Sequence, residues 1–333
     1  MSLSSLPAIA MALAAAFASA APSITHAQAV PSAGNWPQRP VKIVVPFAPG
    51  SSPDVFARIV GDRLAQRLGQ PVVIENRAGA GGNIGTGYVA KAASDGYTLL
   101  VSTNGPLVYN TVLYQKLPYD PFKELRPVVL GGGQPNVCAV RADSGIASLK
   151  DLVNEMKRRP GQFNFSSTGI GSLSHLGPEL LKARTGTFAV HIPYPSSPQA
   201  IMAIIQGDVQ FACVPGVAVM PQVKAGRLRA IAVSTGERSP LMPDVPTMKE
   251  SGFPEVENMA WMAVMAPAST PPDILQKLNA ELNAVLRSAD VRDKMHAQYM
   301  EPIGGSLEQA EQFLRDELRN MTPVIKRSGA TVE

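Results

Sequence analysis

Short β-branched segments alternate with segments of helical periodicity along most of this chain, and this alternation constrains the fold more than any other feature. Val41 to Pro46 is typical of a buried strand. Ser51 to Asp54 then supplies a helix N-cap, a proline suited to the first turn and an acid that favours the helix dipole. The apolar residues that follow recur at three- and four-residue spacing until Gly69 and Pro71. The resulting β-α-β-α-β order, which ends near Ser102, predicts a parallel sheet with right-handed crossovers.

The same alternation resumes after a proline- and glycine-rich stretch at residues 117–135, which predicts a second α/β unit. A strand is then expected from Val256 to Met265, and the rest of the chain is predicted to be helical, without a further strand. Helices with one strand cannot form a core alone. We therefore expect this last part to return to the first sheet, so that the chain crosses twice between two lobes.

The N-terminal region has the composition of a secretory signal peptide. The first 38 residues contain no Lys, Arg, Asp or Glu, and Ala8 to Ala18 is an unbroken apolar run. Small residues then offer cleavage after residue 27, or alternatively after residue 20. The region before the apolar run has no basic residue, so a disordered or buried N-terminus is the other interpretation. We expect residues 1–27 to direct export, giving a soluble periplasmic protein.

Composition and charge exclude several classes of function. The chain is 45% hydrophobic and 17% charged, as in an ordinary globular protein, and not as in a disordered chain or a coiled coil. Its net charge of +4 comes from 30 basic and 26 acidic residues spread along the sequence. No basic stripe of the kind that binds nucleic acid is present, so we expect no nucleic-acid partner. We also expect the protein to be a monomer.

Two cysteines, Cys138 and Cys213, lack the spacing of a metal site and are too few for a disulfide framework. Both lie on predicted strands of the second lobe. A bridge would close a long loop, but strand order cannot be derived well enough from the sequence to bring their Cα atoms within bridging distance. We therefore favour two buried free thiols, with a disulfide as the alternative.

Motifs of catalysis and cofactor binding are missing from the sequence. It contains no G-x-S-x-G, Walker loop, H-E-x-x-H or credible dinucleotide fingerprint, and no recognisable motif pairs His175, His191 or His296 with a nucleophile. A secreted hydrolase or dehydrogenase is therefore the less favoured hypothesis. A receptor without cofactor or metal needs none of these groups.

Seven segments resemble the Bug, or TctC-like, solute-binding proteins, the extracytoplasmic receptors of tripartite tricarboxylate transporters. In chain order these are Val41 to Asp54, Val73 to Gly85, Ser94 to Leu100, Pro118 to Phe122, Gly169 to His175, Val245 to Gly252 and Ala266 to Pro272. The resemblance implies a type II periplasmic-binding-protein fold, in which two α/β lobes close on a ligand. The crossing strands are then expected near 133–139 and 256–264. Lobe 1 would comprise residues 36–132 plus 264–333, and lobe 2 residues 133–263.

Two predicted helix starts carry the ligand-binding hypothesis. The loop before Asp54 and the loop from Thr168 to Ser172 lie on different lobes. Each presents unpaired backbone N–H groups that suit a carboxylate, although a plain capped helix start is the alternative for each. His175 is either a hydrogen-bond donor to the ligand or a satisfied helix residue, and Trp261 is expected in the core, with a platform for the ligand as the alternative. The candidate ligand-binding residues are Phe47, Gly50, Ser51, Ser52, Asp54, Thr103, Asn104, Gly169, Gly171, Ser172, His175 and Tyr194.

The sequence departs from the family pattern at two of these residues, Ser51 and Tyr194, and at Val214. Ser51 replaces the second glycine of a usual Gly-Gly, and Tyr194 lies in Pro-Tyr-Pro-Ser where relatives usually have Tyr-Lys-Gly. Val214 stands where relatives commonly carry an aspartate, which makes an ammonium-bearing ligand less favoured. The resemblance implies a small organic carboxylate as ligand and transporter membrane subunits as partners. The alternative function is that of a ligand sensor that docks on a membrane kinase instead of a transporter.

Overall fold

The computed structural model describes residues 34–328 and residue 330, so the predicted signal peptide lies outside the described residues. The strands are β1 Val41–Val45, β2 Val72–Asn76, β3 Thr98–Thr103, β4 Leu125–Gln134, β5 Asn136–Arg141, β6 Asn164–Ser167, β7 Val190–Pro193, β8 Phe211–Pro215, β9 Leu228–Val233, β10 Ala260–Pro267 and β11 Glu301–Gly304. The helices are α1 Ser52–Leu68, α2 Asn83–Ala90, α3 Asn110–Leu113, α4 Pro121–Glu124, α5 Leu149–Arg158, α6 Leu173–Thr185, α7 Ser197–Gln206, α8 Gly216–Lys224, α9 Pro272–Arg287, α10 Ala289–His296 and α11 Leu307–Ser328.

The strands form two mixed sheets, which we call sheet 1 and sheet 2. Sheet 1 has the order β11-β4-β10-β3-β1-β2, and sheet 2 has the order β7-β6-β8-β5-β9. β1 runs parallel to β2 and β3, as predicted, but β10 is antiparallel to both β3 and β4. The parallel arrangement predicted for these three strands is therefore confirmed, and β10, which returns from the other lobe, enters sheet 1 in the opposite direction.

Two strands differ from the sequence analysis. The proline- and glycine-rich stretch at 117–135, in which no strand was assigned before residue 133, contains the ten-residue strand β4. The chain end, predicted to be helical only, contains β11, which pairs with β4 at the edge of sheet 1. The expected return of the C-terminal part to sheet 1 is confirmed, since Ile274, Leu278 and Leu282 of α9 share one apolar core with Phe56 and Leu64 of α1.

The chain passes between the sheets twice. β4 ends at Gln134 and β5 begins at Asn136, so only Pro135 separates the two sheets at this crossing. The return runs from Val233, the last residue of β9, to Ala260, the first residue of β10. The proposed lobe boundaries at 132/133 and 263/264 stay a prediction, and both fall inside strands. We use lobe 1 for sheet 1 with its helices and lobe 2 for sheet 2 with its helices.

α11 contacts both lobes. Its residues Leu314 and Ile325 belong to an apolar cluster that contains Trp261 of sheet 1 and Leu173 and Leu176 of α6. Burial of this cluster therefore joins the C-terminal helix and lobe 1 to the first turn of a lobe 2 helix. Among the described residues, no helix is both long and apolar enough to cross a membrane.

A disulfide joins Cys138 of β5 to Cys213 of β8. The two residues face each other in the antiparallel pair and are almost fully buried, with 0% and 3% of their surfaces exposed. The preference for free thiols was therefore wrong. The register of β5 on β8 brings the Cα atoms to 3.8 Å, which the sequence alone did not establish.

Candidate functional site

A cavity of about 60 Å³ lies between the two lobes, large enough for a few water molecules. Both lobes and both crossing segments contribute to its wall. The lining residues are Phe47, Ser51, Ser52, Pro53, Thr103, Asn104, Gln134, Asn136, Thr168, Ser172, Leu173, Ser174, Pro195, Ser196, Ser197, Pro215, Ala260, Trp261 and Met262.

Three helices begin at this cavity. α1, α6 and α7 are 17, 13 and 10 residues long, and each has a serine as N-cap that lines the cavity: Ser51, Ser172 and Ser196. Within the described part of the chain, the backbone N–H groups of Ser52 and Ser197, the first residues of α1 and α7, have no acceptor. Unpaired N–H groups and the positive ends of the helix dipoles together favour a bound anion.

The starts of α1 and α7 share the same tripeptide, Ser-Ser-Pro, at 51–53 and at 196–198. In each case the proline at the second helical position has no N–H, while the serine before it keeps a free one. The hydroxyls of Ser51 and Ser52 are buried and have no hydrogen-bond partner among the described residues. A ligand oxygen placed here would therefore meet backbone and hydroxyl donors together.

None of the residues that line the cavity, all of them in the described part of the chain, carries an ionisable side chain. A negatively charged ligand would therefore be neutralised by backbone dipoles and hydroxyls. A cationic ligand would lose its hydration without gaining a counter-charge, which costs several kcal/mol or more.

Asn104 and Trp261 are held in the cavity wall by a hydrogen-bond network. The Asn104 amide donates to Tyr109 Oη at 3.1 Å and to the Met259 carbonyl at 3.1 Å, and its oxygen accepts from the Trp261 backbone N–H at 3.2 Å. Glu317 of α11 accepts from Tyr109 Oη at 2.6 Å and from the Trp261 indole N–H at 3.1 Å. Trp261 is thus both a core residue, as predicted, and part of the cavity wall.

Six of the twelve candidate residues line the cavity, namely Phe47, Ser51, Ser52, Thr103, Asn104 and Ser172. The other six do not. Gly50 and Asp54 instead fix the start of α1. The Asp54 carboxylate accepts from the Gly50 N–H at 2.9 Å, from Arg58 Nε at 3.1 Å and from Asn76 Nδ2 at 2.9 Å. Burial raises the pKa of Asp54, but the hydrogen bonds from Arg58, Gly50 and Asn76 outweigh it and hold the pKa below its ordinary value.

Gly169 and Gly171 shape the loop that leads into α6. The Gly169 carbonyl accepts from Ser172 Oγ at 2.7 Å, which closes the turn before the helix. Gly171 has a positive φ of 80° and faces Asn110 and Leu113 of the other lobe. Both glycines therefore lie outside the cavity wall, at the contact between the two lobes.

His175 lies beneath this loop and not in the cavity wall. Its Nδ1 accepts from the Gly171 N–H at 3.2 Å, and its ring stacks on that of His191 with centroids 4.0 Å apart. Burial and, to a smaller extent, the charge of Lys182 together lower the pKa of His175 to about 4. Burial, His175 and Lys182 lower the pKa of His191 to about 3. Of the two interpretations of His175, the geometry favours a satisfied helix residue that supports the loop.

Tyr194 also lies outside the cavity wall. Its backbone N–H donates to the Ser167 carbonyl at 3.0 Å, and its side chain packs on an apolar cluster that includes residues of α7, α8 and sheet 2. The next residues, Pro195 to Ser197, reach the cavity instead.

Acidification should destabilise the protein through the two stacked histidines. In the folded state they stay neutral below their ordinary pKa of 6.5, whereas in the unfolded state they bind protons there. The free energy of unfolding is therefore highest above about pH 6.5 and falls as the pH decreases towards 4. Urea unfolding at pH 7.5 and pH 5 should show a smaller loss for His175→Phe than for the unchanged protein. Equal losses would contradict this assignment.

The sequence reasoning did not identify Gln134, Asn136, Ser174, Ser196 and Ser197 as cavity residues. The repeated Ser-Ser-Pro was a signal for the two serines of α7, because it marks the same kind of helix start as the first loop. For Gln134 and Asn136 no local signal exists, since their place depends on how β4 and β5 join different sheets.

The sequence matches one family profile, described as "Tripartite tricarboxylate transporter family receptor", over residues 56–330. It is 40% identical to Protein BugT of Bordetella pertussis over 303 residues, which are 91% of this chain and 93% of that protein. It is also 35% identical to a protein of Pseudomonas sp. encoded in the tcbD-tcbE intergenic region, over 87% of this chain and 86% of that protein.

Solved structures of similar proteins have the same fold. An R. palustris protein determined with adipate is 34% identical and matches with a TM-score of 0.86, covering 89% of this chain and 100% of the other. MatC from Rhodopseudomonas palustris with bound malate is 32% identical, with a TM-score of 0.81 and coverage of 87% and 100%. These likenesses confirm the type II periplasmic-binding-protein fold predicted from the sequence.

Proposed function

Because this chain belongs to the tripartite tricarboxylate transporter receptor family, whose members are periplasmic solute-binding receptors and not enzymes, we propose that it binds a small carboxylate in the interlobe cavity. It would deliver this ligand to the membrane subunits of a tripartite tricarboxylate transporter. The observation that carries the proposal is the convergence of three helix N-termini on the interlobe cavity, in whose wall, as far as the chain is described, no side chain is ionisable. Adipate and malate in structures of relatives support the ligand class.

The carboxylate would lie at the start of α1. The N–H of Ser52 and the hydroxyls of Ser51 and Ser52 are the unpaired donors on that side. Hydrogen bonds to a charged group contribute roughly 1.5–3 kcal/mol each, more than neutral ones. A bound anion would also relieve the cost of burying the two hydroxyls unpaired.

A thermal-shift screen of the exported protein against small carboxylates, including malate and adipate, tests the ligand class. A ligand that binds only the folded state at one hundred times its Kd adds about 2.7 kcal/mol to the free energy of unfolding. We expect at least one carboxylate to raise the melting temperature clearly. If no carboxylate in the panel does so, the proposal is wrong.

For the carboxylate identified in this way, Ser51→Ala should weaken binding roughly 10- to 100-fold, because it removes a donor to a charged group. Stability should not fall, because the Ser51 side chain makes no cap hydrogen bond in the free protein. Ser148→Ala is the matched control: Ser148 is the N-cap of α5, and its hydroxyl accepts from the Asp151 N–H at 3.1 Å. That control should lose about 1 kcal/mol of stability and keep its affinity. Calorimetry and urea unfolding of both variants distinguish the two roles, and unchanged affinity in Ser51→Ala would place the carboxylate elsewhere.

A further inference from the structure

Two side-chain amides on the first crossing segment point to a second requirement on the ligand. Gln134 is the last residue of β4 and Asn136 the first residue of β5. Both line the cavity, and each has only 2% of its surface exposed. They therefore lie where the chain passes from one lobe to the other, facing the same enclosed space as the helix starts.

These two amides are unused by the protein. Gln134 Oε1 and Asn136 Oδ1 are buried without a hydrogen-bond partner, and no partner of either amide nitrogen is found in the part of the chain that the structure describes. Asn104 in the same wall differs, because its amide is fully occupied by Tyr109, Met259 and Trp261. Asn104 thus completes the wall, whereas Gln134 and Asn136 leave hydrogen-bonding capacity for a bound molecule.

The backbone around the two amides is already satisfied. The Asn136 N–H donates to Ser234 Oγ at 3.0 Å, and its carbonyl accepts from the Ser234 N–H at 2.9 Å. The segment is therefore held in place on its lobe 2 side, and only the side chains lack partners. A buried polar group without a partner costs about 1–3 kcal/mol. Such groups are uncommon in folded proteins, and these two lie in the cavity that also holds the unpaired hydroxyls of Ser51 and Ser52, which indicates a place that a ligand fills.

The chemistry of the two amides restricts which ligand group can occupy the space beside Gln134 and Asn136. Each amide offers an NH₂ donor and a carbonyl acceptor. An ionised carboxylate only accepts, so a plain dicarboxylate would pair the NH₂ groups and leave both carbonyl oxygens buried without a donor. An ammonium group would donate, but no acidic side chain lines the cavity to balance its charge. The complementary group is neutral and both donates and accepts.

We propose that Gln134 and Asn136 form a subsite for a neutral donor–acceptor group, a hydroxyl or a carboxamide, carried by the ligand beside its carboxylate. This inference rests on the proposed function, which places the carboxylate at the helix starts. The ligand class is then hydroxycarboxylates and half-amides of dicarboxylic acids. Because the subsite lies on a crossing segment, the same group also ties the ligand to the connection between the lobes.

Calorimetry with matched ligands tests the subsite. One series is succinate, malate and succinamate, and a longer one is adipate, 6-hydroxyhexanoate and adipamate. Within the series that binds, the compounds with a donor should bind roughly 5- to 150-fold more tightly than the plain dicarboxylate, because each buried carbonyl left without a donor costs about 1–3 kcal/mol. Equal or tighter binding of the plain dicarboxylate overturns the subsite and leaves the proposed function standing. No binding by any carboxylate overturns both.

Two variants that keep the side-chain volume locate the effect. Asn136→Leu and Gln134→Met remove the hydrogen-bonding atoms of the two amides. In each variant, the ratio of the affinity for a donor-bearing compound to the affinity for the plain dicarboxylate should fall towards one. The plain dicarboxylate, which loses only the NH₂ donors, should lose less affinity in these variants than the ligands that also donate to the carbonyl oxygens. A preference for the donor ligand that persists in both variants overturns the assignment. Since the readout is a ratio within one protein, a change in overall stability does not imitate the result.

Discussion

Gly171→Ala should weaken ligand binding roughly 10- to 100-fold while the protein remains folded. Gly171 lies in the lobe 2 loop before α6, and a Cβ atom added there would collide with the Asn110 side chain and lie 3.0 Å from Leu113 Cδ1. Both neighbours belong to α3 of lobe 1. The new methyl group would therefore oppose the close approach of the two lobes on which a ligand held from both sides depends.

Two costs of this substitution are separable. The positive φ of Gly171 disfavours alanine by about 1–2 kcal/mol whether the lobes are together or apart, so this cost lowers stability alone. Steric overpacking against α3 costs typically 1–3 kcal/mol, and only when the lobes are in contact. Because each 1.4 kcal/mol is a factor of ten in affinity, the second cost alone gives the expected loss of binding.

Gly186→Ala is the matched control. Gly186 follows α6, also has a positive φ, of 63°, and a Cβ atom there would meet no atom within 4 Å. Thermal unfolding should show a similar loss of stability in the two variants, whereas calorimetry should show weaker binding only in Gly171→Ala. Small-angle scattering with ligand should give a larger radius of gyration for Gly171→Ala. Equal affinities in the two variants would mean that contact between this loop and α3 does not govern binding.

The local sequence determined the helix starts well. The N-cap serine, the proline and the terminating glycine of α1 lie within a few residues of the helix ends that they mark, and they specify the element without tertiary contacts. For the same reason the loops before α1 and α6 were recognised as candidate anion sites. Which atoms of each loop face the cavity was not predictable, since Asp54 is turned towards Arg58 and Asn76 by contacts that include a residue distant in the sequence.

β4 shows why other elements were missed. Three consecutive glycines, Gly131 to Gly133, disfavour a strand by local propensity, yet β4 is paired with β10 on one side and β11 on the other. The ring of Phe56 occupies the space where a Cβ atom of Gly131 would lie. Glycine is therefore a packing requirement of this strand and not a turn signal, a distinction that needs the tertiary structure.

The disulfide was undecidable from the sequence for a related reason. Cys138 and Cys213 are bonded because β5 pairs with β8, an antiparallel neighbour that no pattern along the chain predicts. The surrounding sheet is mixed, with β8 parallel to β6 on its other side. The handedness rule for parallel crossovers constrains how the parallel strands are connected, but it does not apply to the antiparallel strand β5.

Loss of this disulfide should destabilise the protein more than the loss of a helix cap or the strain of an alanine at a single glycine position. The bonded cysteines are 75 residues apart in sequence, and closing a loop of this length in the unfolded chain is worth about 4 kcal/mol in the chain-entropy model. A typical domain has only about 5–15 kcal/mol of stability, so this is a large share. Cys138→Ala/Cys213→Ala should lower the free energy of unfolding by about that amount in urea, measured against the oxidised protein.

Reductant provides the control for this prediction. Unfolding in the presence of dithiothreitol should lower the stability of the unchanged protein nearly to that of the double variant, because both then lack the cross-link. The double variant itself should not respond to the reductant, which separates bond loss from any effect of the reagent. The intact mass of the oxidised protein should be two hydrogens below the value for two thiols. Two titratable thiols in protein unfolded without reductant would show that the bond does not form, and the loss of about 4 kcal/mol would then not be expected.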